Sequence, residues 1–295
     1  MLKLEDPDLE KLLTYLALQE EFVFLDTSRP DNENIESLLF LKPIDRLLCR
    51  VGDNLEQYLA VLQERLTNGF YLAGWIGYEF GAMLEGRIGA ATSPVGDNQL
   101  ILADLGVFLK PRRFNHHTGE HDFPFNADYR SIEGSYVISD PRPNMTKEEF
   151  LQGLHQVRQY IIAGDTYQVN YTMKLLFNFQ GSAEKFYAVL RKNQSVAYSA
   201  YIRHGEERIL SFSPEMFFRK KGEEITVRPM KGTAAKGYNG LQEQENSREL
   251  HFDSKNRSEN VMIVDLLRND LARLMHGHGE SRVFVDSLFD IESYE

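Results

Sequence analysis

The sequence predicts an α+β fold, with antiparallel β-sheets packed as a sandwich and flanking helices. Three observations lead there. Strand-like runs follow one another in succession instead of alternating regularly with helices, which disfavours a parallel, doubly wound sheet. Clear helical stripes occur at only a few places and end at glycine stops. Hydrophobic residues make up 42% of the 295 residues, enough to fill a sizeable core.

The elements follow in chain order. Apolar spacing predicts a helix over 8–19, with Leu9, Leu12, Leu13 and Leu16 on one face. Residues 22–25 read as a short buried strand. A second helix is expected over 54–68, with Leu55, Leu59, Leu62 and Leu66 on one stripe and Gly69 as its stop. Strands are expected over 70–76 and 100–109, with Trp75, Tyr78 and Phe80 as core residues around the glycines of GWIGYEFG. Periodicity fades over 111–142, which reads as a connector. Within it His116, His117 and His121 lie beside Asp122. Without helix-spaced ligands or a cysteine they read as a surface cluster, not a zinc site.

Thr146 and Glu149 form a capping box at the start of a helix. Phe150, Leu154, Val157 and Ile161 continue its apolar face, and Gly164 closes it. Strand-like runs follow at 167–179, 197–203, 209–212 and 225–228. A last helix is expected over 256–275, so apolar on all sides that it should be largely buried.

The formal net charge of −11 repels nucleic acid and anionic membranes, and an anionic small substrate would need a local basic pocket. One cysteine, Cys49, permits no internal disulfide and fits a reducing compartment. The N-terminus lacks the basic start and apolar core of a signal peptide, and no run reaches the ~18 apolar residues of a membrane span. A cytoplasmic protein is the default expectation.

Four clusters put polar residues where burial would be costly unless they are paired or used. In GDTYQVN, Gln168 and Asn170 share one face of an alternating strand; alone, a hydrogen-bonded sheet face is the simpler account. At Ser213-Pro214-Glu215, proline breaks the ladder, so Glu215 could project into a cleft, partly desolvated, as a general acid, or be an ordinary turn residue. In RPMKGT, Lys231 stands on a tight, exposed corner before Gly232 and Thr233. A cationic neighbour such as Arg228 or Lys236 could activate it as a nucleophile, though a lone lysine there is more simply solvated. On the last helix, Glu259 could suit a hard cation or join Asp265, Arg268, Asn269 and Asp270 in a polar network that ties the helix to its neighbours, the simpler account for those four.

In this order, GDTYQVNYT, SPEMFFR, RPMKGTAAKG and ENVMIVDLLRNDLARL resemble the chorismate-utilising enzymes: the anthranilate, aminodeoxychorismate, isochorismate and salicylate synthases. A weaker resemblance through the stretch from Glu36 to Phe40 and through GWIGYEFG covers the N-terminal region. The resemblance implies an anthranilate synthase component I-like region over 1–140 and the first part of a chorismate-binding catalytic region over 141–295. It also implies roles. Lysine at position 231, in place of the alanine of PIAGT-like motifs, resembles the aminodeoxychorismate branch. Glutamine at 168, in place of a lysine base, speaks for ammonia over water as the incoming group. Glu259 would help hold Mg²⁺ against the substrate carboxylate, Lys231 would attack C2 of chorismate, and Glu215 would protonate the departing C4 hydroxyl. Gly232, Thr233 and Gln168 would line the substrate. A glutamine amidotransferase subunit would supply ammonia, and the N-terminal region could hold tryptophan.

The resemblance further implies a sheet and site that are incomplete at the C-terminus. Family members continue with a histidine, a Gly-Ala-Pro-Lys-like loop, an arginine and a second metal carboxylate. The expectation is therefore a truncated product, or a remainder on another chain, with no measurable turnover in isolation. The alternatives are an anthranilate synthase component I and a non-catalytic member of the family.

Overall fold

The computed structural model describes residues 4, 6–85, 100–124, 134–276 and 281–292. Along the chain the elements are α1 (Asp6–Ala17), β1 (Glu21–Asp26), β2 (Glu36–Leu41), β3 (Asp45–Arg50), α2 (Leu55–Thr67), β4 (Tyr71–Ile76), α3 (Tyr78–Leu84), β5 (Ile101–Phe108), β6 (Arg112–Asn115) and β7 (Tyr136–Pro143). Then come α4 (Lys147–Ala163), β8 (Leu175–Gly181), α5 (Ala183–Asn193), β9 (Tyr198–His204), β10 (Glu207–Ser213), β11 (Met216–Lys221), β12 (Glu224–Arg228), α6 (Gly240–Phe252) and α7 (Ser254–Met275).

The core is a stack of four layers. A five-stranded sheet has the order β10-β9-β1-β2-β6, and a three-stranded sheet the order β3-β5-β4. Strand pairing is antiparallel throughout both. Alternation along β1 explains how the layers meet. Phe22 and Phe24 point to one face, where they pack with Leu9, Leu12, Leu13 and Leu16 of α1 and with Tyr187 of α5. Val23, between them, points to the other face and joins Phe40 and Ile202 against Ala73 and Phe108 of the second sheet. The far side of that sheet, at Cys49, Leu102 and Ala103, is covered by Tyr58 of α2 and Phe80 of α3. The predicted sandwich with flanking helices is therefore present. Its larger sheet draws β1, β2 and β6 from before residue 140 and β9 and β10 from after it. No helix among the described residues is long and apolar enough to cross a membrane.

Several local expectations are corrected. The stretch 111–142 is not a plain connector, because it contains β6 and most of β7. β7 carries Pro141 and Pro143, and its ladder with β8 is irregular between Ser139 and Arg142, which is why alternation failed to reveal it. The strand expected over 167–179 begins only at Leu175. His116 is not on the surface: it is fully buried, its Nε2 2.8 Å from the Ser37 hydroxyl. Tyr78, expected in the core, is 95% exposed. On α2 the inward stripe runs through Leu55, Tyr58 and Leu62, leaving Leu59 and Leu66 outside.

The largest correction concerns α7, of which no residue is buried. An all-round apolar helix demands burial, but burial needs a facing layer. Both sheets of the sandwich already have their outer faces covered, by α1 and α5 on one side and α2 and α3 on the other. The capping box of α4 is present as predicted, Thr146 N–H donating to Glu149 Oε2 at 2.7 Å and Glu149 N–H to Thr146 Oγ1 at 3.2 Å. Gly164 ends that helix in the left-handed conformation, yet α4 too has no buried residue.

Candidate active site

Of the candidate residues, Glu215, Lys231, Gly232 and Thr233 flank the open end of the β11–β12 hairpin. Met216 pairs with Arg228 at the open end of that hairpin, so the chain entering at Glu215 and the chain leaving at Met230 run side by side. Ser213 Oγ accepts the Glu215 amide at 3.2 Å and donates to the Glu215 carbonyl at 3.0 Å, a local turn that Pro214 favours. The Glu215 carboxylate then accepts the Met230 amide, Oε1 to N at 3.0 Å. This bond brings the candidate acid to the residue before the candidate nucleophile. The Glu215 side chain is exposed, so the described residues do not supply the desolvation expected of it.

Lys231 is half-buried instead of fully exposed. Arg228, one of its suggested cationic neighbours, is engaged elsewhere: its Nη2 donates to both oxygens of Glu33, at 2.9 and 2.8 Å. Burial opposes the Arg228 charge, and the Glu33 carboxylate outweighs it, holding the guanidinium above its ordinary pKa.

Gly232 turns the chain at φ +79°, a left-handed conformation that favours glycine. A β-carbon there would come within 2.9 Å of Asn256 Cγ and 3.1 Å of Leu250 Cδ1. The close approach seats the lysine loop against the start of α7, where Asp253 caps the helix by accepting the Asn256 amide at 2.7 Å. Glu259 lies one helical turn beyond Asn256, on the neighbouring surface of the same helix. Thr233 is exposed.

The structure thus joins Glu215 to the lysine segment directly and seats Gly232 against Asn256, one helical turn before Glu259. It does not bring in Gln168, which sits outside any strand; no hydrogen bond or ion pair among the described residues links it to the others.

As a magnesium ligand, Glu259 is half-buried and has a single loose partner, Lys255 Nζ at 3.8 Å. Beside it Asn260 Oδ1 is buried and has no hydrogen-bond partner, an orphaned oxygen of the kind a hard cation accepts. No group of three or more His, Cys, Asp or Glu that could hold a metal occurs among the described residues. A single carboxylate, Glu259, suits a magnesium ion that takes its remaining ligands from substrate and water, not an all-protein cage.

Sequence reading missed Asn256, Asn260 and Glu33. The first two are ordinary polar helix residues by type, and only the packing of Gly232 and the unpaired oxygen single them out. Glu33 lies in the acidic stretch Asp31-Asn-Glu-Asn34, which reads as a solvated turn. The turn is built by Asp31, whose Oδ1 accepts the amides of Glu33 and Asn34 at 2.7 and 2.8 Å. Burial works against the Asp31 charge, but the hydrogen bonds from Asn34 and Glu33 prevail and hold its carboxyl below its ordinary range.

With the geometry in hand, similarity to known proteins can be placed. The profile of the chorismate binding enzyme family matches residues 21–295. Aminodeoxychorismate synthase component 1 of Klebsiella aerogenes is 34% identical over 230 residues, 75% of this chain and 50% of that protein. The protein of the same name from Escherichia coli K12 is 34% identical over 158 residues, 54% of this chain and 34% of its own length. Anthranilate synthase component 1 of Aquifex aeolicus is 32% identical over 153 residues, 52% of this chain and 30% of that protein. The chain therefore spans half or less of the length of these relatives. Among solved structures, anthranilate synthase component I from Streptococcus pneumoniae superposes with a TM-score of 0.67 at 17% identity, covering 81% of this chain and 62% of that one. MenF, the menaquinone-specific isochorismate synthase of Escherichia coli, gives 0.57 at 15% identity, covering 90% and 60%. The fold is the one these proteins share, and the chain belongs to the chorismate binding enzyme family.

Proposed function

We propose that this chain carries the lysine nucleophile and general acid for amination of chorismate to 4-amino-4-deoxychorismate. What carries this is the hydrogen bond from the Met230 amide to Glu215 Oε1 at 3.0 Å, which keeps a carboxyl beside the segment that bears Lys231. Lysine at position 231 and relatives named as aminodeoxychorismate synthases support the aminating branch. A neutral Lys231 amine adds at C2, both ring double bonds shift (C1=C2 to C1=C6 and C5=C6 to C4=C5), and the C4 oxygen leaves as water with the proton of Glu215. Ammonia then adds at C4, both double bonds shift back, the lysine amine is expelled from C2, and the surplus proton of the ammonium returns to Glu215. The sum is chorismate plus ammonia giving the amino product plus water. Covalent attachment divides one hard displacement into two easier ones. Bound Mg²⁺ would neutralise the substrate carboxylate and make the ring more electron-poor. Glu259 would help hold it. Ammonia would come from a glutamine amidotransferase partner.

A second reading, anthranilate synthesis, is favoured by the 32% identity to the Aquifex protein. The two part at the product, since anthranilate is an aromatic ortho-amine.

The test is to incubate the chain with chorismate and Mg²⁺, without and with ammonium, and to follow protein and products by mass. Without ammonium, Lys231 is expected to gain the mass of chorismate less water, and Lys231→Ala to gain nothing. An unmodified Lys231, or an adduct on another residue, removes the covalent step.

A further inference from the structure

The β11–β12 hairpin is short and has a register irregularity between Met216 and Arg219. Phe217, on its outer strand, is 90% exposed. A two-stranded ribbon of this size is marginal unless something else holds it, and it shares no ladder with the five-stranded sheet. Yet its open end is where Glu215 meets Met230, so any looseness there moves both candidate catalytic groups.

The hairpin is held by a carboxylate distant in sequence. Glu33 lies in the turn between β1 and β2. That turn is itself fastened to the segment leading into β9: Ser28 Oγ donates to the Val196 carbonyl and accepts the Val196 amide, both at 2.9 Å. From this anchored position Glu33 binds one arginine of each hairpin strand, Arg228 Nη2 at 2.8 Å and Arg219 Nη1 at 3.0 Å. Arg219 Nη2 also donates to Asn34 Oδ1 at 2.8 Å. Arg228 is the residue paired with Met216 at the open end, so a restraint on Arg228 acts one residue from Glu215 and two from Met230. Between turn and hairpin lies a cavity of about 330 Å³ lined by Glu33, Tyr198, Glu215, Arg228 and Met230 among others. The pair of Glu33 with Arg228 thus bridges turn and hairpin on the wall of this cavity.

We propose that Glu33 is a positioning residue: through Arg228 and Arg219 it fixes the end of the hairpin and thereby the distance between the Glu215 carboxyl and the Lys231 segment. This rests on the amination reading for its catalytic meaning, but its physical content can be measured separately. Glu33, Arg219 and Arg228 are all partly exposed, so the ion pairs add little to global stability. Their effect is local, which separates positioning from mere support of the fold.

The measurement is residue-resolved hydrogen exchange at the Met230 amide in the 295-residue chain. In Glu33→Gln the exchange should quicken by about fivefold, the scale set by losing a partly exposed pair, with the thermal midpoint nearly unchanged. Glu33→Asp, which keeps the anion, should recover most of the protection. Glu33→Gln combined with Arg228→Gln should fall short of the sum of the two single effects, because the two share one contact, while Arg228 keeps a longer pair with Glu292 at 3.7 Å. An exchange rate in Glu33→Gln equal to that of the parent overturns the proposal, as does additivity of the two substitutions. Lys231 adduct formation, followed in the parent by mass, reports on the amination reading alone. Its failure would strike that reading while leaving the exchange result to decide the role of Glu33.

Discussion

The sandwich and the segments around the candidate site use apolar sequence to opposite effect. In α1, Leu9, Leu12, Leu13 and Leu16 are all buried, because β1, β2 and α5 close over them. In α7, Val261, Met262, Leu266 and Leu274 are at least 40% exposed, because no described layer faces them. Apolar periodicity in sequence states a demand for burial, and whether the demand is met depends on elements far away in the chain. The candidate site accordingly sits on elements held by turns, ion pairs and one close glycine contact, while the sandwich is held by packing.

The sharpest way to test this contrast is to break the sandwich where its packing is polar. Asp26 is buried on β1, accepts the Tyr187 hydroxyl at 3.0 Å, and is paired with Arg191 of α5. Burial opposes the Arg191 charge, and the Asp26 carboxylate more than offsets it, holding the guanidinium above its ordinary pKa. Arg191→Leu leaves a carboxylate buried with only the Tyr187 and Ser37 hydroxyls as partners and should cost about 3–5 kcal/mol in urea denaturation. Adding Asp26→Asn should restore much of that loss. If Arg191→Leu alone costs less than about 1 kcal/mol, the layer does not depend on this pair as described.

The same pair shows how much of the fold was legible. α1, α2, α4 with its capping box, β1 and β9 follow from spacing and stop signals, since their inward residues are apolar or their ends carry caps. α5 gave no signal. Its buried face is Glu184, Tyr187 and Arg191, correct helical spacing written in polar residues, and a search for apolar stripes passes over it. The run 167–174 failed the other way. It alternates well, but alternation describes one strand's faces and not whether a neighbour exists to complete its ladder. Of the site, SPE and PMKGT could be located from proline and glycine chemistry. Glu33 could not, because its significance lies in which arginines reach it across the chain.

A smaller effect is expected at the lysine loop. Gly232→Ala places a β-carbon 2.9 Å from Asn256 Cγ at a φ of +79°, and strain of this kind costs about 1–3 kcal/mol. In a region fastened by few contacts the loop should yield before the fold does. Limited proteolysis between Met230 and Lys236 should accelerate while the urea midpoint of the sandwich stays within error. A shift of the whole transition instead would mean that loop and sandwich unfold as one unit.

The smallest effect bears most directly on the contrast. Leu12→Ala and Leu266→Ala are the same substitution in two helices, and leucine and alanine both favour helix. Leu12 is fully buried, so its truncation removes apolar contact and leaves a cavity, at about 2–5 kcal/mol. Leu266 is 55% exposed, and its truncation should change stability by no more than about 0.5 kcal/mol. Paired denaturation curves measure both. Should Leu266→Ala cost as much as Leu12→Ala, the outer face of α7 is covered in solution. Repeating the curves over a hundredfold range of protein concentration would then identify the cover: a midpoint that rises with concentration marks a second copy of the chain, because only association makes stability depend on concentration. A midpoint independent of concentration marks closure of the chain upon itself.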